Sequence, residues 1–443
     1  MITIKKVFGG VDVPGKKELS KDCPIEFAGI PGEVVLFLSQ HTGAPSNPIV
    51  KPKDKVLRGQ MIAEPQGTVS AALHAPTSGV IKAIEPRFHP VQARMADAII
   101  LQPDGEHVSD ESVKPLASDL EDLTPEAIRT IARQMGLVGL GGAAFPTAVK
   151  LAPPENKPID TYLLNGAECE PYLTADQRLM TEEAEKVIFG FRAFMKASGA
   201  SRGIVCIEDN KPDSIEAMKR AIQPYSEIEL AVLTSRYPRG GEKQLIQAVL
   251  GREVPPPPGL PLDVGVIVSN VGTAYAMAES ILEGLPLIER IVTVTGEGVA
   301  KPSNFKALIG TPLSFLIDKA GGFNGTPRKV IMGGPMMGAA LRDTNVPIVK
   351  GTSGILVFNV DQVVEEPILP CIRCGKCVDV CPMRIQPLWI AAYSERGLME
   401  QAENARAMDC CECGACAFAC PAKRPLVQWI KLAKAEITAM RRA

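Results

Sequence analysis

The sequence predicts a multidomain α/β protein: a β-rich N-terminal module, a larger α/β domain, a small β-grasp domain and a helical, cysteine-rich end. Three observations lead there. The 443 residues are enough for about three domains or more. Near Thr124 the pattern changes from short strands joined by turns to alternating strands and helices. Eight of the twelve cysteines then fall near the C-terminus in two copies of one spacing.

Composition sets the outer limits. An apolar fraction of 46% and a charged fraction of 22% describe an ordinary globular chain. A net charge of −2 gives no electrostatic footprint for nucleic acid. No window offers the ~20 uncharged apolar residues of a membrane span. The most apolar stretch, 264–277, is too short and contains Ser269, Asn270 and Gly272. Residues 1–6 lack the apolar run of a secretory signal, so clustered cysteines argue for metal rather than disulfides. The four histidines carry no ligand pattern and none is assigned, and Cys23 and Cys206 read as ordinary thiols.

In the first part, taken as 1–110, strands are expected over 34–38, over 53–63 around a glycine turn, and over 74–84. Asp54-x-Val56-x-x-Gly59-Gln60 followed by Ala75-Pro76-x-Ser78-Gly79-x-Ile81 resembles the barrel-sandwich hybrid fold of lipoyl and biotinyl carrier domains. A carrier needs a lysine at its hairpin tip. That position falls near Thr68, where there is none, so the resemblance implies an unmodified structural or docking module. The polar, acidic stretch 104–122 reads as a linker.

The second domain is expected over 120–285. Thr124 is a helix cap and Pro125 the first helical residue. Strands over 161–164, 203–207, 228–233 and 264–268 alternate with helices over 181–197, 214–221 and 243–250, the pattern of a mainly parallel sheet. Pro255 to Pro258 read as a stiff polyproline loop. The β-grasp domain is placed at 286–360, with strands over 290–295 and 329–332 and a helix over 313–320. The last domain, 361–443, should hold helices over 387–393 and 398–408, with an amphipathic segment at 430–437 packing onto it.

The cysteines carry the first chemistry. Cys371-x2-Cys374-x2-Cys377-x3-Cys381-Pro382 is repeated as Cys410-x2-Cys413-x2-Cys416-x3-Cys420-Pro421. Bacterial-type ferredoxins hold two 4Fe-4S clusters with this spacing, each fourth cysteine crossing to the other cluster. One cluster then takes Cys371, Cys374, Cys377 and Cys420, and the other Cys410, Cys413, Cys416 and Cys381. Gly375 and Gly414 sit where the chain wraps tightly, and each proline turns it away. Zinc also uses Cys-x2-Cys pairs, but has no need of the full spacing twice. Cys411 stands outside the pattern, as an alternative ligand or a bystander.

The loop 136–150, Gly-Leu-Val-Gly-Leu-Gly-Gly-Ala-Ala-Phe-Pro-Thr-Ala-Val-Lys, carries the second. Gly139-x-Gly141-x-x-Ala144 formally matches a dinucleotide fingerprint, but a helix precedes it where that fingerprint needs a strand. Its glycines bare N–H groups suited to an anion, and Lys150 adds a charge; a purely structural turn is the alternative. Three further segments adjoin strands: Asn165-Gly-Ala-Glu-Cys-Glu-Pro171, Tyr237-Pro-Arg-Gly-Gly-Glu242 and Ser269-Asn-Val-Gly-Thr273. Together the four resemble the flavin- and NADH-binding fold of the complex I flavoprotein subunit. The resemblance implies that Gly139, Gly141, Gly142 and Lys150 hold the FMN phosphate and ribityl groups. Asn165, Glu168 and Glu170 would line the flavin, Tyr237, Gly240, Gly241 and Glu242 would face flavin and nicotinamide, and Asn270 and Thr273 would complete the pocket. Leu140, Ala144, Ala167 and Cys169 depart from that family's arginine, glycine, acidic residue and serine. Read without the resemblance, Glu168, Glu170 and Glu242 are solvated loop carboxylates.

The order of the four domains, with 38–45 and Gly333-Gly-Pro-Met-Met-Gly338, resembles the C subunits of Rnf (Rsx) electron-transport complexes over essentially the full length. That implies an NADH-dependent oxidoreductase subunit, peripheral on the cytoplasmic face of the cell membrane. Electrons would pass between NAD(H), FMN and two 4Fe-4S clusters without a catalytic acid or base. Its partners would be the integral-membrane and iron–sulfur subunits of the complex, with ferredoxin reached indirectly. A soluble relative, or an iron–sulfur relay with a vestigial flavin site, are the alternatives.

Overall fold

A parallel sheet, ordered Ile228–Leu233, Arg202–Glu208, Thr161–Gly166, Val266–Asn270, forms the middle of the chain. In the computed structural model, residues 8–363 and 366–441 are described; the start on which the absence of a signal segment rests lies outside them. The strands are Val/Ile/Leu-rich because both faces are covered. Tyr162, Leu164, Val205 and Ile207 pack among the helices Pro125–Gln134, Ala184–Ser198 and Val271–Leu282. Leu163, Ile204, Cys206 and Val268 point the other way, against Leu245, Ile246 and Val249 of the helix Glu242–Leu250. The Thr124 hydroxyl caps its helix by accepting from the Ala127 N–H.

Two expectations change here. The single helix over 181–197 is two, Ala175–Glu182 and Ala184–Ser198, because Glu183 leaves helical geometry at φ −128° and ψ 35°. Pro255 to Pro258 form a turn with a cis Pro257–Pro258 bond rather than an extended rod, closed by the Gly259 N–H on the Pro256 carbonyl.

The barrel-sandwich module has two antiparallel sheets. One is ordered Val34–Phe37, Arg94–Pro103, Gly79–His89, Lys55–Val56, and the other Asn47–Pro48, Met61–Glu64, Leu73–His74. Val34, Leu36, Ile62, Leu73, Ile81 and Ile99 fill the space between them. That core continues into Val138, Leu140 and Ala144 of the glycine loop, so module and α/β domain share one interior. The tip where a carrier lysine would stand is docked: Arg133 donates to the carbonyls of Gly67 at 2.7 Å and Thr68 at 3.3 Å.

The β-grasp sheet runs Ile25–Phe27, Ser303–Leu308, Glu289–Thr295, Gly354–Asn359, Pro327–Met332, Ala339–Leu341, with the helix Leu313–Lys319 covering it. Its first strand comes from residues assigned by sequence to the barrel-sandwich module. A three-residue strand pairing in parallel with residues 303–308 has no local signal. The C-terminal domain packs Pro387–Glu395, Met399–Asn404 and Leu426–Met440 together; the helix expected over 398–408 ends early, and the last helix buries Ile430, Ala433 and Ile437. Among the described residues no helix is long and apolar enough to cross a membrane.

The closest helix crossing generates a stability prediction. A Cβ built on Gly190 would lie 1.8 Å from the Ala274 carbonyl oxygen. Gly190→Ala should lower stability by roughly 1–3 kcal/mol through overpacking, read as a fall in the thermal unfolding midpoint; an unchanged midpoint contradicts the packing.

Candidate functional site

The parallel sheet brings the four sequence segments to its carboxyl edge, where open α/β sheets place their ligands. Asn165 and Asn270 end neighbouring strands and are direct register partners. The Asn165 side chain donates to the Gly240 carbonyl at 2.8 Å and accepts from the Ala167 N–H at 3.1 Å, tying the second segment to the third. Gly240 has no room to grow: a Cβ there would stand 3.1 Å from that of Ala167 and 3.3 Å from the Cys169 sulfur. Asn270 caps its helix by accepting from the Gly272 N–H and donates to Asp176 at 2.6 Å. Thr273 accepts from the Leu140 N–H at 2.9 Å, tying the fourth segment to the glycine loop.

The glycine loop starts after Gly136, whose φ of +65° favours a residue without a side chain. The Gly139 N–H returns to the Phe145 carbonyl at 2.8 Å, folding the segment between them into a tight bulge. Among the described residues, the N–H groups of Gly141, Gly142 and Ala143 make no internal hydrogen bond. Such a run is a concavity for an anion, and it fits a phosphate group. Lys150 pairs with Glu242 at 3.0 Å at the partly exposed mouth, joining the first segment to the third.

The segment 165–174 is built on two buried ammonium groups. Lys17 Nζ donates to the carbonyls of Glu168, Glu170 and Leu173 at 2.9, 3.2 and 2.5 Å. Lys211 Nζ donates to the Ala167 carbonyl at 2.6 Å. Burial holds Lys17 below the ordinary lysine range. The two carboxylates of this segment are not equivalent. Glu168, with φ +44°, accepts from the N–H groups of Asp176 and Gln177 and so caps the helix Ala175–Glu182; burial raises its pKa. Glu170 Oε2 accepts from the Met336 N–H at 3.1 Å, while its buried Oε1 has no partner among the described residues. Burial pushes this carboxyl up to about 7. An unpaired buried oxygen beside Tyr237 suits an N–H of a flavin or a carboxamide.

Tyr237 leads to the thiols. Its buried hydroxyl donates to the Cys413 carbonyl at 2.7 Å, and its backbone exchanges two hydrogen bonds with Val11. Val11, Tyr237, Cys169, Cys411, Cys413 and Met336 form one apolar cluster. The strap before it continues the seam. The Gly10 N–H donates to the Val380 carbonyl, and a Cβ on Gly9 would meet the Cys381 carbonyl at 2.8 Å.

Cys381, Cys410, Cys411, Cys413 and Cys416 line one cavity. Apart from Cys411, which stands outside the repeated spacing, these are the four thiols of the expected crossed set, one from the first motif and three from the second. Among the described residues no three donors converge on the position of a single metal ion. Four thiols around a wider space suit a cube in which each thiolate holds a different iron. Cys377 and Cys420 lie together in a neighbouring cluster that also holds Cys416, and Cys371 and Cys374 are exposed. Gly375 and Gly414 take φ +80° and +82° at the matching turn of each motif.

The sequence singles out the four loop segments and the eight thiols as candidates, but not Asp176, Lys17, Lys211 or Lys350. Each acts through a carbonyl or side chain distant along the chain, which leaves no motif. Lys350 is 1% exposed and donates to the carbonyls of Ala72 and Gly136 at 2.8 and 2.6 Å. Burial lowers its pKa to about 7, whereas an unfolded lysine ionises near ~10.4. Between those values the unfolded chain binds more protons, so stability rises with pH. The nearby His41 and His74, lowered by burial to about 4 and about 3, do not titrate in that window. Denaturant unfolding at pH values from about 7 to about 10 should therefore show wild type gaining stability relative to Lys350→Met; parallel profiles contradict a buried, neutralised lysine.

Comparison with known proteins covers nearly the whole chain. Family models match in order: the RnfC barrel sandwich hybrid domain at 5–106, the Nuo51 FMN-binding domain at 132–279, the SLBB domain at 291–340 and the 4Fe-4S dicluster domain at 363–421. The C subunit of the Na(+)-translocating ferredoxin:NAD(+) oxidoreductase complex of Acetobacterium woodii is 49% identical over 98% of this chain and 97% of its own. The proton-translocating counterpart of Clostridium ljungdahlii is 44% identical over 98% and 94%. The C subunit of the ion-translocating oxidoreductase complex of Rhodobacter capsulatus is 42% identical over 97% and 83%. With that identity sustained across all four domains, the chain belongs to the family of C subunits of Rnf-type ion-translocating oxidoreductase complexes.

Proposed function

We propose that this chain is the electron-transfer subunit that exchanges electrons between NAD(H), through FMN, and two 4Fe-4S clusters within a membrane-bound ion-translocating complex. One observation carries the reading: Tyr237, from a segment at the edge of the nucleotide-binding sheet, is hydrogen-bonded to the backbone of the cluster ligand Cys413. When bound, FMN supplies the conversion between an electron pair and single electrons, and the clusters supply the single-electron route.

The protein's part is to hold and orient. Gly139, Gly141, Gly142 and Lys150 would hold the phosphate and ribityl groups, and Asn165 and Glu170 would face the flavin ring. Tyr237, Gly240, Gly241 and Glu242 would form the nicotinamide side, and Asn270 and Thr273 the floor. Glu168 would act one step removed, by capping the helix that carries Asp176. Leu140 replaces the arginine of the complex I family, and its burial in the barrel-sandwich core gives the substitution a packing role. No proton has to be delivered by a side chain, so the site needs no acid–base pair.

The thiol arrangement supports an order. Cys381, Cys410, Cys413 and Cys416 would hold the cluster near the flavin, against Tyr237 and the strap at Gly9. Cys371, Cys374, Cys377 and Cys420 would hold the outer one. Exposed Ile368 and Ile372 beside that outer site offer an apolar face for a partner subunit. The partners are the integral-membrane and iron–sulfur subunits of the complex, with ferredoxin reached through them. The chain would sit peripherally on the cytoplasmic face, where the NAD(H) pool is.

Two measurements test this. The purified chain, rebuilt anaerobically with iron, sulfide and FMN, should show flavin bleaching and then cluster reduction on addition of NADH. Assembled clusters with no retained FMN and no NADH response would favour the relay reading. Cys381→Ala should lower iron from about eight to about four per chain and remove the paramagnetic signal of the near cluster. Loss of only the cluster built on Cys371, Cys374 and Cys377 sinks the crossed assignment.

A further inference from the structure

We propose that the barrel-sandwich module and the β-grasp domain orient the phosphate cradle of the flavin site, with Thr42, Arg290 and Lys350 as its positioning residues. The inference rests on the FMN reading above and gives the unmodified module a task within it.

A loop can present N–H groups to an anion only if its carbonyls turn away, and a carbonyl turned into protein needs a donor there. Four carbonyls of this loop find donors outside the α/β domain. Gly136 accepts from Lys350 Nζ at 2.6 Å and Leu140 from an Arg290 Nη at 3.0 Å, both β-grasp side chains. Ala143 accepts from the Thr42 hydroxyl at 2.8 Å and Ala144 from the Thr42 N–H at 3.2 Å, both from the barrel-sandwich module. Among the described residues, the N–H groups of Gly141, Gly142 and Ala143 lie between these carbonyls and have no internal partner; those of Val138, Ala144 and Phe145 have none either.

The donors are locked to one another. Arg290 also donates to the Lys350 carbonyl at 2.5 Å, and the Lys350 N–H donates to Gln40, two residues before Thr42. Leu140 anchors the loop by its side chain in the module's core. On the opposite side Gly141 lies close against Asn270: a Cβ built on it would be 3.2 Å from the Asn270 Cβ. One buried cation, Arg290, stands behind the loop, where it favours an anion in front of it. A phosphate is the group this arrangement discriminates, because the flavin ring has no part in it.

The test compares FMN with riboflavin, which lacks the phosphate, by fluorescence quenching on the full chain with its clusters assembled. Thr42 is exposed, so Thr42→Val keeps shape and fold while removing one donor. We expect the FMN dissociation constant to rise about fivefold with riboflavin binding unchanged, and Thr42→Ser to restore wild-type values. Arg290→Met should weaken FMN by more than about tenfold in the same selective way. Variants that bind FMN as wild type does, or that weaken both flavins equally, overturn the inference alone. A wild-type chain that binds neither flavin overturns the FMN reading, and this inference with it.

Discussion

The hydrogen bond from the Tyr237 hydroxyl to the Cys413 carbonyl ties the parallel-sheet domain to the cysteine-rich domain. Electron transfer falls steeply with distance, so a nucleotide site and an iron–sulfur site are useful to each other only if held close and still. Tyr237 lies at the end of one structure and Cys413 at the heart of the other. The contact is dry, with Val11, Cys169, Cys411 and Met336 around it. Neighbouring contacts make it a seam: Glu170 grips the Met336 backbone, Gln244 reaches Met383, and Gly9 lies flat on Cys381.

The same economy recurs behind the flavin loops. Lys17, Lys211, Lys350 and Arg290 are buried with backbone carbonyls among their partners. Burying a cation this way is costly, and an apolar replacement of similar shape is often as stable. Their use is geometric. Lys17, Lys350 and Arg290 each gather two or three carbonyls and fix which way those peptides face, and Lys211 ties the Ala167 carbonyl to Glu208 and Asn210. Arg290 also places positive charge behind the loop proposed to hold a phosphate.

Local signals were readable without a structure because they are local. The cysteine spacing identifies its chemistry through seven-residue wraps, and the parallel strands show as short apolar runs between amphipathic helices. Asn165 and Asn270 could be placed at strand ends, and they are register partners. Long-range features were not readable. Ile25–Phe27 joins a distant sheet by register, Ile25 opposite Asn304, 279 residues along the chain, with nothing in three residues to mark it. Glu168, expected to line the flavin, caps a helix, a task that uses the same residue type and leaves no separate mark in the sequence. Leu140 looked like a lost function; its packing partners come from another domain.

In the proposed order, electrons enter the thiol domain at the cluster beside Tyr237 and leave from the exposed one. Stopped-flow mixing with NADH, followed by freeze-quench spectroscopy of the clusters, tests it directly in two variants. With the outer cluster removed by Cys371→Ala, the near cluster should still be reduced at the wild-type rate. With the near cluster removed by Cys381→Ala, the outer cluster should be present yet stay oxidised. An outer cluster reduced at the wild-type rate in Cys381→Ala contradicts the account.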